Sequence, residues 1–563
     1  MSTRAEDLNL RTKRRRKRAL PKGRVAQAVA RTAVREALGD LPRRRDMLLE
    51  CLHRLNDRYG CLRAEHLVAL AEELRLSMTE VYEVASFYHH FDVVKDPAAQ
   101  PAKITVRVCD SVTCAMCGGE QLAASLETTL GSSVRVQRVS CVGRCDEAPV
   151  AVCGQKPLAH ASVEAVTAAV NASDTAAENL SPVTYAEYRK AGGYQLWQDC
   201  VNGKRSRREV IKTLEDSSLR GLGGAGFPTG RKWRLVAKEP APRIVAINLD
   251  EGEPGTFKDR YFLERDPHRF VEGTLIAAWA VDSQEVYLYL RDEYAACRAM
   301  LEHELAALQA DPPARLPKIH LRRGAGAYIA GEESAMMESI EGKRAMPRLR
   351  PPYVAQAGIF GRPTLEQNLE TLYWVREILE KGAEWFASQG RHGRKGLRTF
   401  SVSGRVKKPG VYVAPAGITL HELIDEYCGG MADGHELYGY FPGGASGGLL
   451  PASKADVPLD FDTLQPFGCF IGSAAIMVFS KTDKARDLAR NAMRFFSHES
   501  CGRCTPCRVG TAKATDLMGE RHWNKVLLED LSSVMVDASI CGLGQAAPNA
   551  VRSVVKYFPD EVA

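Results

Sequence analysis

The chain has 563 residues, 45% apolar and 26% charged, a soluble globular composition too long for one hydrophobic core. Its formal charge of +7 sits at the head: Met1 to Arg24 hold ten basic against two acidic residues. The remainder is close to neutral, which argues against a global basic field for nucleic acid. The best apolar run, around Phe470 to Phe479, is far too short to cross a bilayer, so a cytoplasmic protein without membrane attachment is expected.

In chain order, the basic run Arg11 to Arg18 is followed by Pro21 rather than an apolar segment, unlike a secretory or twin-arginine signal. Residues 1–45 read as a basic disordered tail, either solvated or docking an acidic partner. Residues 46–100 read as helical. Leu48, Leu49, Leu52 and Leu55 recur at helical spacing before Gly60, and a second helix covers Ala64 to Leu74. Ser77-Met-Thr-Glu80 is a capping box opening a helix from Val81 to Phe91, which would carry His89 and His90 as ordinary surface or packing histidines. From Pro101 the period becomes two. A strand through Ile104, Val106 and Val108 delivers Cys109, a helix spans Glu120 to Leu130, and a strand Val134 to Val139 delivers Cys141. A helix from Ala161 to Val170 closes a small α/β unit over 101–170, and 171–206 reads as a linker.

Residues 207–397 read as a larger α/β domain. It runs through a helix (Arg207 to Glu215), a glycine-rich loop (Gly221 to Lys232), strands at Arg243 to Ile247 and Glu285 to Leu290, and a helix from Glu293 to Gln309. A second glycine turn stands at Gly324-Ala-Gly326. Residues 398–483 read as a β-grasp module, with a hairpin in Thr399 to Val413 and a helix from Leu420 to Tyr427, and 484–563 as helical.

Sixteen cysteines without a signal peptide argue against a disulfide scaffold. Cys501-x-x-Cys504-x-x-Cys507 with a distant Cys541 suits three thiolates on one face of an iron–sulfur cube and a remote fourth, hence [4Fe–4S]. Zinc is the alternative, though it more often takes two Cys-x-x-Cys pairs. Cys109-x4-Cys114 and Cys141-x3-Cys145, each ending a strand, suit a [2Fe–2S] rhomb. The competing set Cys109-x4-Cys114-x2-Cys117 imitates plant ferredoxin, and Cys117 is read as a bystander. Gly221-Leu-Gly-Gly-Ala-Gly-Phe-Pro-Thr-Gly-Arg-Lys232 can cradle phosphates or be a plain glycine turn. It is not a Walker A loop, and Pro228 and Gly230 are expected to break any helix starting there. Two acidic clusters, Asp250 to Asp259 and Glu332-Glu333, complete a set that fits a dinucleotide-sized site.

These motifs, with Glu499-Ser-Cys-Gly-Arg-Cys-Thr-Pro-Cys-Arg508, resemble the NADH-binding flavoprotein subunit of complex I and its soluble relatives from about Arg207 onward. Residues 46 to 170 resemble the thioredoxin-like [2Fe–2S] companion subunit, here fused. Val108 to Met116 and Phe441 to Pro451 are similar to the β (diaphorase) subunits of molybdenum- or tungsten-dependent formate dehydrogenases; the diaphorase of NAD-reducing hydrogenases is the alternative.

The resemblance implies an α/β multidomain fold: a thioredoxin-like ferredoxin domain, a Rossmann-like FMN/NADH domain, a β-grasp (ubiquitin-like, SLBB-like) module and a C-terminal helical bundle with an iron–sulfur cluster. It implies FMN, NAD, [4Fe–4S] and [2Fe–2S] as cofactors, and a molybdopterin or tungstopterin catalytic subunit as partner in a hetero-oligomer. Gly221, Gly223, Gly224 and Lys232 would contact FMN, with Asn248, Asp250 and Glu251 on its ribityl and phosphate side and Gly331, Glu332 and Asn368 completing the site. Phe227, Glu253, Tyr328, Glu333, Arg350 and Tyr353 would line the nicotinamide nucleotide's place, with Glu253 and Glu333 the carboxylates implied in catalysis. Leu222 stands where complex I usually has Arg, Ala330 where it often has Cys, and Gln367 where Asn is usual. A zinc-stabilised, nucleotide-binding scaffold without redox work is the reading from another class.

Overall fold

The computed structural model describes residues 24–96 and 99–563, in two compact units. The basic run Arg11 to Arg18 lies outside the described residues. Among its described residues the first unit holds four α-helices, α1 (Ala28–Leu38), α2 (Leu48–Tyr59), α3 (Ala64–Leu74) and α4 (Met78–Ala85), with a short parallel pair β1 (Leu62–Arg63) and β2 (Val93–Val94). Helix α1 corrects the tail reading over its described part, residues 24–45: Ala30, Val34 and Leu38 are buried, and Arg31 pairs with Glu72 at 2.8 Å. The capping box at Ser77 and Glu80 forms on both sides. Helix α4 nevertheless stops at Ala85, so His89 and His90 are not helical. Their N–H groups instead donate to the carbonyls of Gly326 and Ala325.

The second unit begins with a mixed sheet ordered β4 (Val134–Val139), β3 (Ile104–Cys109), β5 (Ala151–Cys153), β6 (Lys156–Leu158). Strands β3 and β4 are parallel, so Cys109 and the loop to Cys141 leave the sheet at one edge. Helices α5 (Val112–Met116), α6 (Gly119–Leu130) and α7 (Val163–Asn171) accompany the sheet. Gly119 is required where α6 meets β3, because a Cβ there would come 2.7 Å from the Cys109 carbonyl.

The linker reading of 171–206 is corrected by α8 (Tyr185–Lys190) and α9 (Gln195–Val201). Tyr188, Tyr194 and Trp197 are buried in the large core, and Glu272, fully buried, accepts from Tyr188 Oη (2.7 Å), Tyr194 N (2.9 Å) and Trp197 N (3.3 Å). Short polar-rich segments hid these helices because their buried face is aromatic rather than periodic.

After α10 (Arg207–Asp216) and α11 (Thr229–Lys238) comes a fully parallel sheet ordered β10 (Thr364–Asn368), β7 (Arg243–Leu249), β8 (Ser283–Leu290), β9 (Lys318–Arg323). Ile244 to Ile247 form the continuous apolar run of a strand covered on both faces. Helices α12 (Lys258–Arg265), α13 (Pro267–Ala280), α14 (Ala295–Ala310), α15 (Glu333–Ile340), α16 (Leu369–Tyr373), α17 (Val375–Lys381) and α18 (Ala383–Ala387) surround it. Strands β7, β8 and β9 succeed one another outward, whereas β10 returns to the other side of β7. The order therefore reverses between β7 and β10, and a crevice is expected beyond their carboxyl ends.

A third sheet, ordered β12 (Gly410–Pro415), β11 (Leu397–Gly404), β15 (Ala475–Ser480), β13 (Leu437–Phe441), β14 (Leu450–Pro451), carries α19 (Leu420–Glu426). The tail is helical: α20 (Ala485–Glu499), α21 (Thr505–Leu517), α22 (Lys525–Ala538), α23 (Gly542–Ala546) and α24 (Asn549–Tyr557). No helix among the described residues is long and apolar enough to cross a membrane.

Glu272→Ala leaves two buried N–H groups and a tyrosine hydroxyl without their acceptor. An unfolding free energy lower by about 3–5 kcal/mol is expected, the range for breaking a buried charged network, read from denaturant titration; a loss under about 1 kcal/mol would remove α8 and α9 from the core.

Candidate active site and cluster cradles

The glycine-rich loop is closed at its neck by Gly221 N–H to Phe227 O (2.8 Å) and Thr229 N–H to Leu219 O (2.9 Å). Contrary to expectation, Pro228 does not prevent a helix but caps α11, whose first turn contains Gly230. Proline is tolerated there because its missing N–H would be unpaired anyway. Gly230 lets α11 lie against α10, since a Cβ would meet Glu215 and the Ile211 carbonyl within 3 Å. Gly224 has φ of +135°. At Gly223 a Cβ would come 2.9 Å from Asn368 Cβ, so the loop's backbone lies against the carboxyl end of β10. The loop thus occupies the reversal point of the parallel sheet.

Opposite it, register pairs Asn368 with Asn248. Asn248 Nδ2 donates to Gly331 O (2.8 Å), tying the end of β7 to the second acidic cluster. Asp250 is half-buried, its enclosed Oδ2 has no hydrogen-bond partner among the described residues, and desolvation pushes its carboxyl well above the ordinary range. Gly331 leaves the space beside it: a Cβ would stand 3.1 Å from Asp250 O. An orphaned buried carboxylate oxygen next to two glycine-lined backbones fits a hydroxylated, phosphorylated ligand.

The acidic cluster does not act as one patch. Glu251 turns inward and caps α12, accepting from Asp259 N (2.8 Å), Arg260 N (3.1 Å) and Tyr294 Oη (2.9 Å). Its expected place on the ligand side is therefore corrected: both oxygens are occupied inside. Burial, then Asp259, raises its pKa to about 7. Asp259 accepts from Asn368 Nδ2 (2.7 Å) and pairs with Lys258, so Asn368 also faces partly inward. Glu253 accepts from Ser446 N (2.8 Å) and from the Tyr328 hydroxyl. Burial raises the pKa of Glu253.

Lys232 Nζ lies 2.7 Å from Glu366 and 3.8 Å from Glu333; burial opposes its charge, but the two carboxylates outweigh it and raise its pKa. Arg350 pairs with Glu333 (2.8 Å) and Glu332, and Glu332 also caps α15 through Ser334 N and Ala335 N. Phe227 and Tyr353 are exposed, the former beneath Arg231. Among the residues implied for the nucleotide, these two rings present open faces, whereas Glu253 and Tyr328 are half-buried. Sequence reading missed Glu366, although a glutamate in the buried run Thr364-Leu-Glu-Gln-Asn368 is a signal in itself.

The thiols converge. Cys141 Sγ and Cys145 Sγ are 3.3 Å apart, and Cys109 stands within sulfur hydrogen-bonding reach of Cys114 and Cys141. Hydrogen bonds from Cys109 and Cys145, aided by Arg291, draw the Cys141 thiol down, as a metal-ligating thiolate needs. Arg291 Nη2 donates to Cys141 O (2.8 Å) and Arg260 Nε to Gly143 O (2.9 Å), fixing this loop to the parallel sheet's domain. Cys117 is the C-cap of α5, outside this cluster of hydrogen-bonded thiols.

In the helical tail, Cys504 caps α21 and Cys541 caps α23, so two helix N-termini face the second thiol group. Gly544 permits their approach: a Cβ would lie 2.8 Å from Cys507 Cβ. Glu499, buried, accepts from Tyr328 N (3.0 Å) and Ser140 Oγ (2.8 Å), joining the nucleotide turn, the Cys141 loop and the helix preceding Cys501. His89 stacks on His498 at 4.2 Å, and its Nε2 stands 3.8 Å from Glu499.

Residues 214–377 match the Nuo51 FMN-binding domain, 34–174 the thioredoxin-like [2Fe-2S] ferredoxin, 399–449 the SLBB domain, and 487–563 the NADH-ubiquinone oxidoreductase-F iron-sulfur binding region. An NADH-quinone oxidoreductase F-type subunit of Rhizobium meliloti is 39% identical over 389 residues, 66% of this chain and 92% of the relative. The F-type subunit of Aquifex aeolicus is also 39% identical, over 67% of this chain and 89% of the relative. This chain belongs to the family of NADH-quinone oxidoreductase F-type subunits. It is an NADH-binding flavoprotein of the complex I 51-kDa type with a thioredoxin-like [2Fe–2S] domain, and its cofactors are FMN, [2Fe–2S] and [4Fe–4S]. A crystal structure of an NAD+-reducing [NiFe]-hydrogenase superposes with TM-score 0.79 at 31% identity, over 92% of each chain. The ferredoxin match from residue 34 joins the helical segment and the α/β unit, which sequence periodicity had separated at residue 100.

Gly223→Ala is expected to push Asn368 from its place and weaken flavin retention at least tenfold, measured as bound FMN after gel filtration; undiminished flavin content would detach this loop from the site. Glu251 binds its proton up to about pH 7 in the folded chain but only to 4.5 when unfolded, so its contribution to stability falls as pH rises through that window. At about 1.4 kcal/mol per unit the loss amounts to about 3 kcal/mol. Between pH 5 and pH 8 the wild type should lose that much more unfolding free energy than Glu251→Gln; parallel profiles would contradict the assignment.

Proposed function

We propose that this chain is the diaphorase subunit of a cytoplasmic NAD-dependent formate dehydrogenase, exchanging electrons between NAD(H) and a molybdopterin- or tungstopterin-containing catalytic subunit. The reading rests on the fusion of both units in one chain, together with Val108 to Met116 and Phe441 to Pro451. When bound, the flavin supplies hydride exchange with nicotinamide and the clusters supply single-electron passage.

The chain's own groups position and exclude. Gly221, Gly223, Gly224 and Gly331 leave backbone room for the flavin, and Asp250 Oδ2 waits for a hydroxyl donor. Lys232, held by Glu366, offers its ammonium to a phosphate. Arg350 and Glu333 hold each other at the crevice mouth and would orient the dinucleotide, for whose rings Phe227 and Tyr353 would offer exposed aromatic faces. Glu253, fixed by Ser446 N–H and the Tyr328 hydroxyl, would keep a polar edge toward the nicotinamide. NAD rather than NADP follows from the resemblance.

A second reading, the diaphorase of a soluble NAD-reducing hydrogenase, is favoured by the structural neighbour, which matches the chain over nearly its whole length. Native purification with partner identification and quantification of molybdenum, tungsten, nickel, iron, zinc and flavin separates the two. Molybdenum or tungsten with FMN is expected; nickel without either moves the assignment to hydrogenase. A colourless, flavin-free protein carrying zinc would end the redox reading. Lys232→Ala should lower FMN content or NADH oxidation about tenfold or more, as the loss of a charge-assisted contact worth about 1.5–3 kcal/mol requires.

A further inference from the structure

Behind the glycine-rich loop lies a second cationic cavity, of about 260 Å³, lined by Arg220, Leu222, Arg394, Lys395, Arg398 and Phe461 among others. Arg398, on β11, is 2% exposed, and neither of its terminal nitrogens has a hydrogen-bond partner among the described residues. Its guanidinium lies 3.9 Å from the centre of the Phe461 ring, and that of Arg220 lies 4.5 Å from the same centre. The nearby acids are already committed. Asp460 holds Arg394 at 2.7 Å, Asp462 holds Arg220 at 2.5 Å, and Glu370 accepts from Thr399 N and pairs with Lys258. Burial lowers the Arg398 pKa to about 10 against the opposing charges of Asp460 and Glu370, with Arg220 and Arg394 adding to the drop, which still leaves it charged at neutral pH.

A buried guanidinium with both terminal nitrogens unused is costly unless an anion completes it. The cavity gives such an anion room, and its wall includes Ser218 to Arg220, the segment entering the glycine loop. Four cationic side chains line it from separate positions. That arrangement suits a tetrahedral oxyanion, which accepts hydrogen bonds in several directions, better than one planar carboxylate facing one fork.

We propose that this cavity is a binding site for a small phosphate-class oxyanion, either free phosphate or the phosphate of a small monoester, held by Arg398 and Lys395 with Arg220 and Arg394. The site is separate from the crevice at the β7/β10 reversal, and its occupant clamps the glycine loop to β11.

The test uses FMN-loaded protein, so that the flavin's own phosphate place is filled. Calorimetric titration with inorganic phosphate, and separately with glycerol 3-phosphate, is run against chloride at matched ionic strength. A saturable one-to-one binding event is expected for at least one probe, with a rise in thermal midpoint. Tighter binding of the ester assigns a monoester, and the reverse assigns free phosphate. Arg398→Met should weaken binding at least tenfold while leaving anion-free stability unchanged or higher, because an unpaired buried charge is gone. Lys395→Ala, at the exposed rim, should fold normally and weaken binding severalfold, which keeps the test open if Arg398→Met does not fold. No saturable binding of either probe, or equal binding in wild type and both variants, overturns the proposal.

Discussion

A buried ammonium organises the centre of this molecule. Lys258 is 1% exposed and lies 2.8 Å from Asp259 and 3.0 Å from Glu370. Removing one partner of such a cluster costs about 3–5 kcal/mol, so each member constrains the next. Asp259 in turn holds Asn368 at the end of β10, and Glu370 holds Thr399 N at the start of β11. The parallel sheet, the strand that opens the third sheet and the loop after β7 are therefore positioned by one charge. The crevice inherits its shape from that arrangement: Asn368 is where Gly223 comes to rest.

A second set of contacts relates the redox groups to the nucleotide place. Tyr328 gives its hydroxyl to Glu253 and its N–H to Glu499. Glu499 also takes Ser140, the residue before Cys141, and stands two residues before Cys501. One tyrosine and two carboxylates thus connect the crevice with both thiol groups through hydrogen bonds of defined direction. Burial in a low-dielectric region strengthens those bonds, and it keeps the joined loops at fixed separation. The two helix N-termini at Cys504 and Cys541 add favourable partial charge where thiolates must be held.

Much of this was legible in the sequence because it is carried by local chemistry. The cysteine spacings, the two glycine turns, the capping box at Ser77 and the alternating strands before Cys109 and Cys141 are short-range signals, and the structure brings their residues together. What was not legible depends on long-range pairing. The Asp250 to Asp259 cluster looks like a single acidic patch in sequence. Its members separate only because α12 needs a cap, which Glu251 provides, and because Lys258 needs counter-charges, which Asp259 and Glu370 provide. The helices in 171–206 owe their stability to Glu272, far away in the chain, and not to their own pattern. Pro228 misled for a related reason: a proline that would break a helix interior is at home one residue before its first turn.

Lys258 and Arg398 make an instructive pair, since both are buried cations at the seam between the parallel sheet and the third sheet. The chain surrounds the first with two carboxylates and leaves the second with none of its own, although Asp460 and Asp462 are close enough to serve neighbouring arginines. The position of Leu222 fits this difference. It is buried on the cavity wall, with its N–H given to Thr371 Oγ1. A further arginine there would add a cation to a cavity already in excess. A leucine keeps the wall apolar, which lowers the local dielectric and sharpens the demand of Arg398 for a counter-ion. Leu222 of the glycine loop therefore faces the cationic cavity, and the two features are parts of one local electrostatic arrangement.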